Sequence, residues 1–416
     1  MKTPIFSFRE IAPLLFAIFM DLIAFGLIFP ELPSLLINPD TSILPIGISE
    51  HARYGFLSLW YLLYPTAMFF GAPFLSDLSD RIGRKTILLL CLSGLMLSFI
   101  LMGIGVEMKS ITLLFLGRGV SGLMAASMSV ALAAISDLST PDNKAVHMSY
   151  VAFIETVGVV LGPLLGGVLS DPGLVPGFSI AMPFFIATAL TGIALIWIYF
   201  SFQETHAQKT ASPFHLNRLI YLFFDAYRNQ SIRLLGLVFF TSHIGLSVYF
   251  LSISVYLKTV FKYSTLKIGL FSAFLGLLSG IGLITVLPYV VKKYRVEGVV
   301  AFFLLISVPS EMFLSMHVSG ILFWIVGAML TITSSIAFST LFTAFSNAAD
   351  EDSQGWIMGV VGSLSALSLI FGSLCSNLIP EIGLKTIIFI GSLFVLLGSA
   401  MMRAYCKRFP VIPKTP

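Results

Sequence analysis

Charge is scarce in this sequence. Asp, Glu, Lys and Arg make up only 11% of its 416 residues, where a soluble domain carries about a quarter. With 57% hydrophobic residues and a mean hydropathy of +0.97, a soluble fold would be left with an apolar exterior, which a bilayer tolerates and water does not. The net charge of +4 gives no basis for a nucleic-acid partner. Cysteine is scarcer still: Cys91, Cys375 and Cys406 lie in or beside apolar runs, so no disulfide framework is expected. Their spacing does not suit a metal either. No GxxxxGK[ST] phosphate loop and no HExxH pair is present, which argues against ATP drive and metal-assisted hydrolysis. No enzyme activity, cofactor or metal is therefore expected. The amino-terminal apolar stretch has no small-residue cleavage site before Pro30 and Pro33. It reads as a retained first span rather than a secretory signal.

What the sequence does have is long apolar runs. A spanning helix needs about 20 mostly apolar residues. Runs of that size lie near 11–33, 54–76, 86–106, 111–136, 145–170 and 180–201, then near 232–257, 266–290, 297–316, 320–345, 355–379 and 384–402. The fold class expected is an all-α polytopic membrane protein of twelve transmembrane helices. Pro65, Pro73, Pro163, Pro288 and Pro309 fall inside runs. That is tolerable in a membrane bundle, where neighbouring groups satisfy the freed carbonyls.

Basic residues orient the spans. With the amino terminus inside, 17 of the 24 Lys and Arg fall on the cytoplasmic side, six fall outside, and Arg118 lies within a span. By the positive-inside rule both termini are cytoplasmic, so we expect a multi-pass protein of the cell (inner) membrane. The polar stretch 202–231 divides the chain into a bundle of six spans at 1–201 and another at 232–416, with a short basic tail. Its part around 214–228 reads as a helix lying on the membrane surface. Shifting the first half by 210 residues lays 143–167 on 353–377, so that Met148 meets Met358, Gly162 meets Gly372 and Asp142 meets Asp352. Two pseudo-symmetric bundles of this kind commonly house a substrate site near the midplane.

Ionisable residues inside spans are costly and so are candidates for function. Asp21 and Glu155 each lie ten residues into an outward-running span, near mid-bilayer at about 1.5 Å per residue. Arg118 lies in the fourth span, toward the outer side, and His243 about ten residues into the seventh. A midplane carboxyl beside a cation can bind and release a proton. Asp21 is therefore read as the proton carrier, with Arg118 as its counter-charge or a neighbour in the relay; a fixed ion pair is the plainer alternative. Glu155 is read as a second protonation site, a ligand for a cationic cargo, or a neutral acid bonded to a neighbouring helix. His243 reads as a proton carrier or as a neutral imidazole bonded between helices. Glu311, near the outer end of the ninth span, is read as interfacial.

Four segments carry a resemblance. "SDLSDRIGRK" (76–85) puts five charges directly between two apolar runs, and "MDLIAFGLIFPELP" (20–33) has an acidic residue followed by two prolines. "LGRGVSGLMAA" (116–126) centres on Arg118, and "GVVLGPLLGG" (158–167) is a stripe of small residues. In this order and on these spans the chain resembles the major facilitator superfamily, in its twelve-span drug:proton antiporter branch of the tetracycline-efflux type.

The resemblance implies a cytoplasmic gate of Asp80, Arg81, Gly83, Arg84 and Asp137. Asp80 would meet the amino end of the eleventh helix near Ser353–Trp356, and Arg81 would reach Asp137. Ser76 stands where the family usually has glycine, a departure that would loosen close packing. The stripe Gly158, Gly162, Pro163, Gly166 and Gly167 would pack against the other half and seal the outer end. The implied activity is proton-coupled efflux of an amphipathic small molecule by alternating access, carried out by a monomer whose partners are its cargo, protons and the lipid bilayer. Proton-coupled uptake of a nutrient or iron chelate on the same fold is the first rival. A polytopic membrane enzyme or sensor is the second.

Overall fold

The computed structural model describes residues 8–39, 41–140, 143–171, 173–174, 176–205, 230–316, 320–348 and 354–409. The linker segment 206–229, with its expected surface helix, lies outside them, as do Asp142, Asp352 and Ser353. The described residues form α1 Phe8–Ile28, a π-helical turn Pro33–Ile37, α2 Glu50–Ile82, α3 Arg84–Glu107, α4 Ile111–Leu123, α5 Ser127–Asp137, α6 Lys144–Leu169 and α7 Met182–Ser201. After the linker come α8 Gln230–Thr259, α9 Thr265–Lys293, α10 Val296–Leu314, α11 Gly320–Ala348, α12 Gln354–Ser376, the short α13 Ile379–Ile382 and α14 Leu384–Arg408. Twelve stretches among them are long and apolar enough to cross a bilayer, at the positions the apolar runs indicate. Their outward faces carry bare apolar side chains such as Phe200 (78% exposed), Ile284 (73%) and Ile321 (79%). Water would penalise that surface and lipid does not.

The chain divides into two compact units, Met1–Phe214 with Leu257–Ala273, and His215–Tyr256 with Phe274–Pro416. The carboxyl end of α8 and the start of α9 thus belong with the first unit. In the first unit α1 packs on α5, α6 and α7, α3 packs on α4, α5 and α7, and α2 packs on α4. In the second, α10 is held between α11 and α14. One helix pairing recurs. Gly162 of α6 sits against Gly26 of α1, and Gly372 of α12 sits against Ser247 of α8. The internal repeat read from the sequence pairs these same helices.

The fourth span is not one helix. It breaks at Met124–Ala126, where Met124 N still bonds Val120 O (3.1 Å) but Ala125 N turns back to Gly122 O (3.2 Å). Gly122 is what lets α4 press on α2 here: a Cβ on it would stand 2.8 Å from the Ala67 Cβ and collide with the Tyr64 backbone. The break gives α5 an amino terminus inside the membrane, with backbone N–H groups that α4 does not occupy.

Candidate functional site

Asp21 projects from α1 toward that new terminus. Its Oδ2 accepts a 2.5 Å hydrogen bond from the Ser127 hydroxyl, and the carboxyl lies in reach of the Met128 backbone N–H; these are the first two residues of α5. The carboxyl therefore caps a helix whose dipole favours negative charge at this end. Ser127 was invisible as a site residue in the sequence, because its role depends on the break before it.

Arg118 opens into the same cavity, which Asp21, Ile28, Tyr64, Leu95, Phe99, Met102, Ser121 and Ala125 also line. It is 7% exposed. Among the described residues no ion pair joins it to Asp21, so the fixed pair weighed from the sequence is absent in this conformation. The guanidinium instead lies over the rings of Tyr64 (4.5 Å) and Trp60 (5.1 Å), both on α2. Two aromatic faces stabilise the cation without neutralising it. The acid and the base share a cavity as neighbours, and Asp21 makes no ion pair with Arg118.

The charged segment forms one knot at the far end of the first unit. Asp77, Asp80 and Arg81 lie on the last turns of α2, and Gly83 alone joins α2 to α3. Arg81 pairs with Asp77 one turn back, at 2.7 Å. Arg84 makes the longer reach: its Nη1 meets Asp80 Oδ1 (2.5 Å) and the Ser79 hydroxyl (2.7 Å), and its Nε meets Asp137 Oδ2 (3.3 Å) at the end of α5. The expected partner of Asp137 was Arg81. The structure supplies Arg84, because the turn at Gly83 carries residue 84 across toward α5 while Arg81 stays beside its own i−4 neighbour.

Glu204, which sequence reasoning missed, completes the knot. It follows α7, and its two carboxylate oxygens accept the backbone N–H groups of Arg84 (2.8 Å) and Lys85 (3.1 Å), while the Lys85 Nζ bonds Tyr199 O (2.8 Å). An acidic residue just past an apolar run was the available signal. Gly83 is required for this seat. Its φ is +112°, and a Cβ there would overlap Glu204 Oε2 and stand 2.7 Å from its Cδ. Ser76, expected to loosen packing, bonds the Ser129 hydroxyl of α5 at 2.6 Å. The extra side chain ties α2 to α5. The expected contact of Asp80 with the eleventh span involves Ser353, outside the described residues.

The small-residue stripe mostly faces its own half. A Cβ on Gly158 would stand 2.8 Å from the Leu22 Cβ and one on Gly162 2.9 Å from the Gly26 Cα, while one on Gly166 would strike the Leu27 carbonyl oxygen. These three glycines press α6 onto α1. Contact with the second half of the sequence comes toward its carboxyl end: Gly167 faces Leu266 (3.0 Å), and the Pro163 carbonyl abuts Gly269 of α9. The reading that the whole stripe packs on the other half is thus corrected. The spacing of four alone cannot say which neighbour a glycine face meets.

The remaining candidates stand apart. Glu155 is half-buried on α6, one turn before Gly158, with no hydrogen bond or ion pair to another described residue. His243 belongs to the second unit, stacked on Phe239 (5.1 Å) with Phe338 edge-on (5.2 Å). Its Nδ1 has no hydrogen-bond partner among the described residues, so the expected bond between helices is not made from that nitrogen. Glu311 is not interfacial: it is 0% exposed, because it faces inward from α10 toward α8 and α14.

Comparison with known proteins places this geometry. A family model described as Major Facilitator Superfamily matches residues 14–373, from α1 into α12. The chain belongs to the major facilitator superfamily. Among curated relatives of this facilitator is the tetracycline resistance protein of class C from Escherichia coli, 27% identical, with 85% of each chain covered. The class H protein from Pasteurella multocida is 26% identical, with 88% of each covered. Of solved structures, the human organic anion transporter MFSD10 superposes with a TM-score of 0.71 at 21% identity, covering 95% of this chain and 99% of that one. A POT family transporter in complex with 5-aminolevulinic acid reaches 0.75 at 12% identity, covering 99% and 98%. At such identities the structures establish the facilitator's fold alone. Its homologues and structural neighbours are transporters.

Proposed function

We propose that this facilitator is a secondary active exporter, in which protons moving inward drive an amphipathic small molecule outward. The observation that carries the reading is the seat of Asp21. Its carboxyl lies inside the membrane, capped by Ser127 and the amino end of α5, and it shares a cavity with a cation that does not neutralise it. When Asp21 is ionised, the Ser127 hydroxyl and the α5 terminus stabilise it. When it takes a proton, those donors lose their charged acceptor, and the contact between α1 and α5 weakens. Occupancy of one carboxyl thereby acts on the packing of two helices. The names of the tetracycline resistance relatives support drug export as the direction.

The drive suffices. One charge crossing about 100 mV is worth ~2.3 kcal/mol, and a unit of pH difference adds ~1.4 kcal/mol per proton. Together they sustain a gradient of roughly several hundredfold for a neutral solute at about 1.4 kcal/mol per decade. In this reading the protein acts as a monomer in the cell membrane with both termini cytoplasmic, as the distribution of basic residues supports. Asp80, Arg84, Asp137 and Glu204 then form the inner-side knot that must move as a block when the cavity opens inward.

The test is Asp21→Asn in proteoliposomes, with tetracycline as the probe. Asparagine keeps the size and can still accept from Ser127 and Met128. The protein should therefore fold, and uptake driven by an imposed pH difference should be lost. Unchanged proton-driven uptake would remove Asp21 from the relay.

A further inference from the structure

We propose that Glu311 is a second proton-binding site, lying in the second six-helix unit and exchanging its proton during the facilitator's cycle. Both of its carboxylate oxygens are buried without a hydrogen-bond partner among the described residues, and so is the hydroxyl of Tyr249. Tyr249, on α8, lies within Coulombic reach of Glu311. A Cβ built on Gly391 of α14 would stand 2.8 Å from Glu311 Oε1 and 3.0 Å from the Gly245 carbonyl oxygen. Carboxyl and carbonyl thus both border a helix surface left bare by glycine.

An ionised carboxylate without a counter-charge costs several kcal/mol in such surroundings, on the order of the insertion penalty for a charge at mid-bilayer. Glu311 is therefore carried here as the neutral acid. A neutral acid kept only to brace helices would show its brace. Here a carbonyl acceptor and a phenol lie in the neighbourhood of a carboxyl that neither of them fixes. Bonds left open around a buried acid suit a proton that is held in one state and given up in another. The step moves one proton from a carboxyl oxygen to water and leaves the carboxylate; no electron changes hands.

The charged and titratable groups nearby are few. Tyr249 lies on α8 within electrostatic range of Glu311, and α11 carries no titratable residue. On α14, Lys385 lies six residues before Gly391, and Arg403, Tyr405, Cys406, Lys407 and Arg408 lie twelve or more after it; on α8, Arg233 lies sixteen residues before Tyr249, His243 lies six before it and is packed among phenylalanines, and Tyr256 and Lys258 lie seven and nine after it. On α10 itself, Glu297 is fourteen residues away. No fixed cation among these compensates the carboxylate at its seat, so its charge is balanced by a proton.

Infrared difference spectroscopy on the purified protein in lipid nanodiscs tests this without any transport readout, so its failure is distinct from failure of the Asp21 reading. Wild type should show a protonated-carboxyl band that is absent in Glu311→Gln, persists in Asp21→Asn and bleaches reversibly as pH is raised. Glu311→Asp should shift the band rather than remove it, which keeps the test open if the Gln variant folds poorly. A wild-type spectrum without that band would overturn the proposal, and so would a band that never bleaches between pH 5 and 10. Bleaching by sodium chloride but not choline chloride at fixed pH would make the site a sodium site and overturn it as well.

Discussion

Replacing Gly83 by alanine tests the knot that joins α2, α3, α5 and α7 most sharply, because its two costs can be separated. The first is backbone strain. At φ +112° and ψ 146° the residue sits in a region nearly exclusive to glycine, where another residue costs ~1–3 kcal/mol. The second is eviction of Glu204. The new Cβ would overlap Oε2, so the carboxylate must leave the N–H groups of Arg84 and Lys85. Those bonds are exposed, so each counts near the lower part of the usual range, about 0.5–1.5 kcal/mol. Gly83→Ala should therefore cost roughly 2–5 kcal/mol in wild type and only ~1–3 kcal/mol where Glu204 is already alanine. The assay is thermal unfolding of the four purified proteins of this double-mutant cycle in detergent. A coupling of about 1–2 kcal/mol is expected, within the range for residues in contact. Equal costs of Gly83→Ala in both backgrounds would show that the Glu204 cap contributes nothing.

Three further outcomes follow from the same geometry. Arg118→Lys should cut proton-driven transport about tenfold, since a point charge loses the flat stacking on Tyr64 and Trp60, worth roughly 1–2 kcal/mol when desolvated; wild-type rates would show that the aromatic seat is incidental. Gly166→Ala should lower thermal stability by ~1–3 kcal/mol, because its Cβ strikes the Leu27 carbonyl on the neighbouring helix, and an unchanged melting curve would contradict the close approach of α6 and α1. Arg84→Ala should loosen the knot more than Arg81→Ala does, read as faster hydrogen exchange of the backbone amides around Gly83; the reverse order would restore Arg81 as the partner of Asp137.

The spans were legible because a run of about 20 apolar residues admits almost no other reading. The acid at Asp21 was legible because a charge there has no structural excuse. Other features depended on what sequence does not encode. The break at Met124–Ala126 arises where Gly122 lets α4 press on the backbone of Tyr64, and in sequence those small residues look like any apolar helix. Without the break there is no amino terminus for Asp21 to cap, so Ser127 stayed hidden. Glu311 was misread because hydrophobicity around α10 is nearly even, and nothing in the pattern says which face turns inward. Arg81 and Arg84 are both basic residues of one short motif; only the conformation at Gly83 decides which of them reaches α5. Glu204 lies 120 residues beyond Arg84, a pairing that no local pattern announces.

The central claim is that a proton on Asp21 and cargo in the cavity drive one another. Proteoliposomes with an imposed pH difference measure this directly, by tetracycline accumulation before and after a proton ionophore. Accumulation should fall to simple equilibration when the proton gradient collapses, and Asp21→Asn should show that low level throughout. Accumulation that continues undiminished after the ionophore would contradict the account.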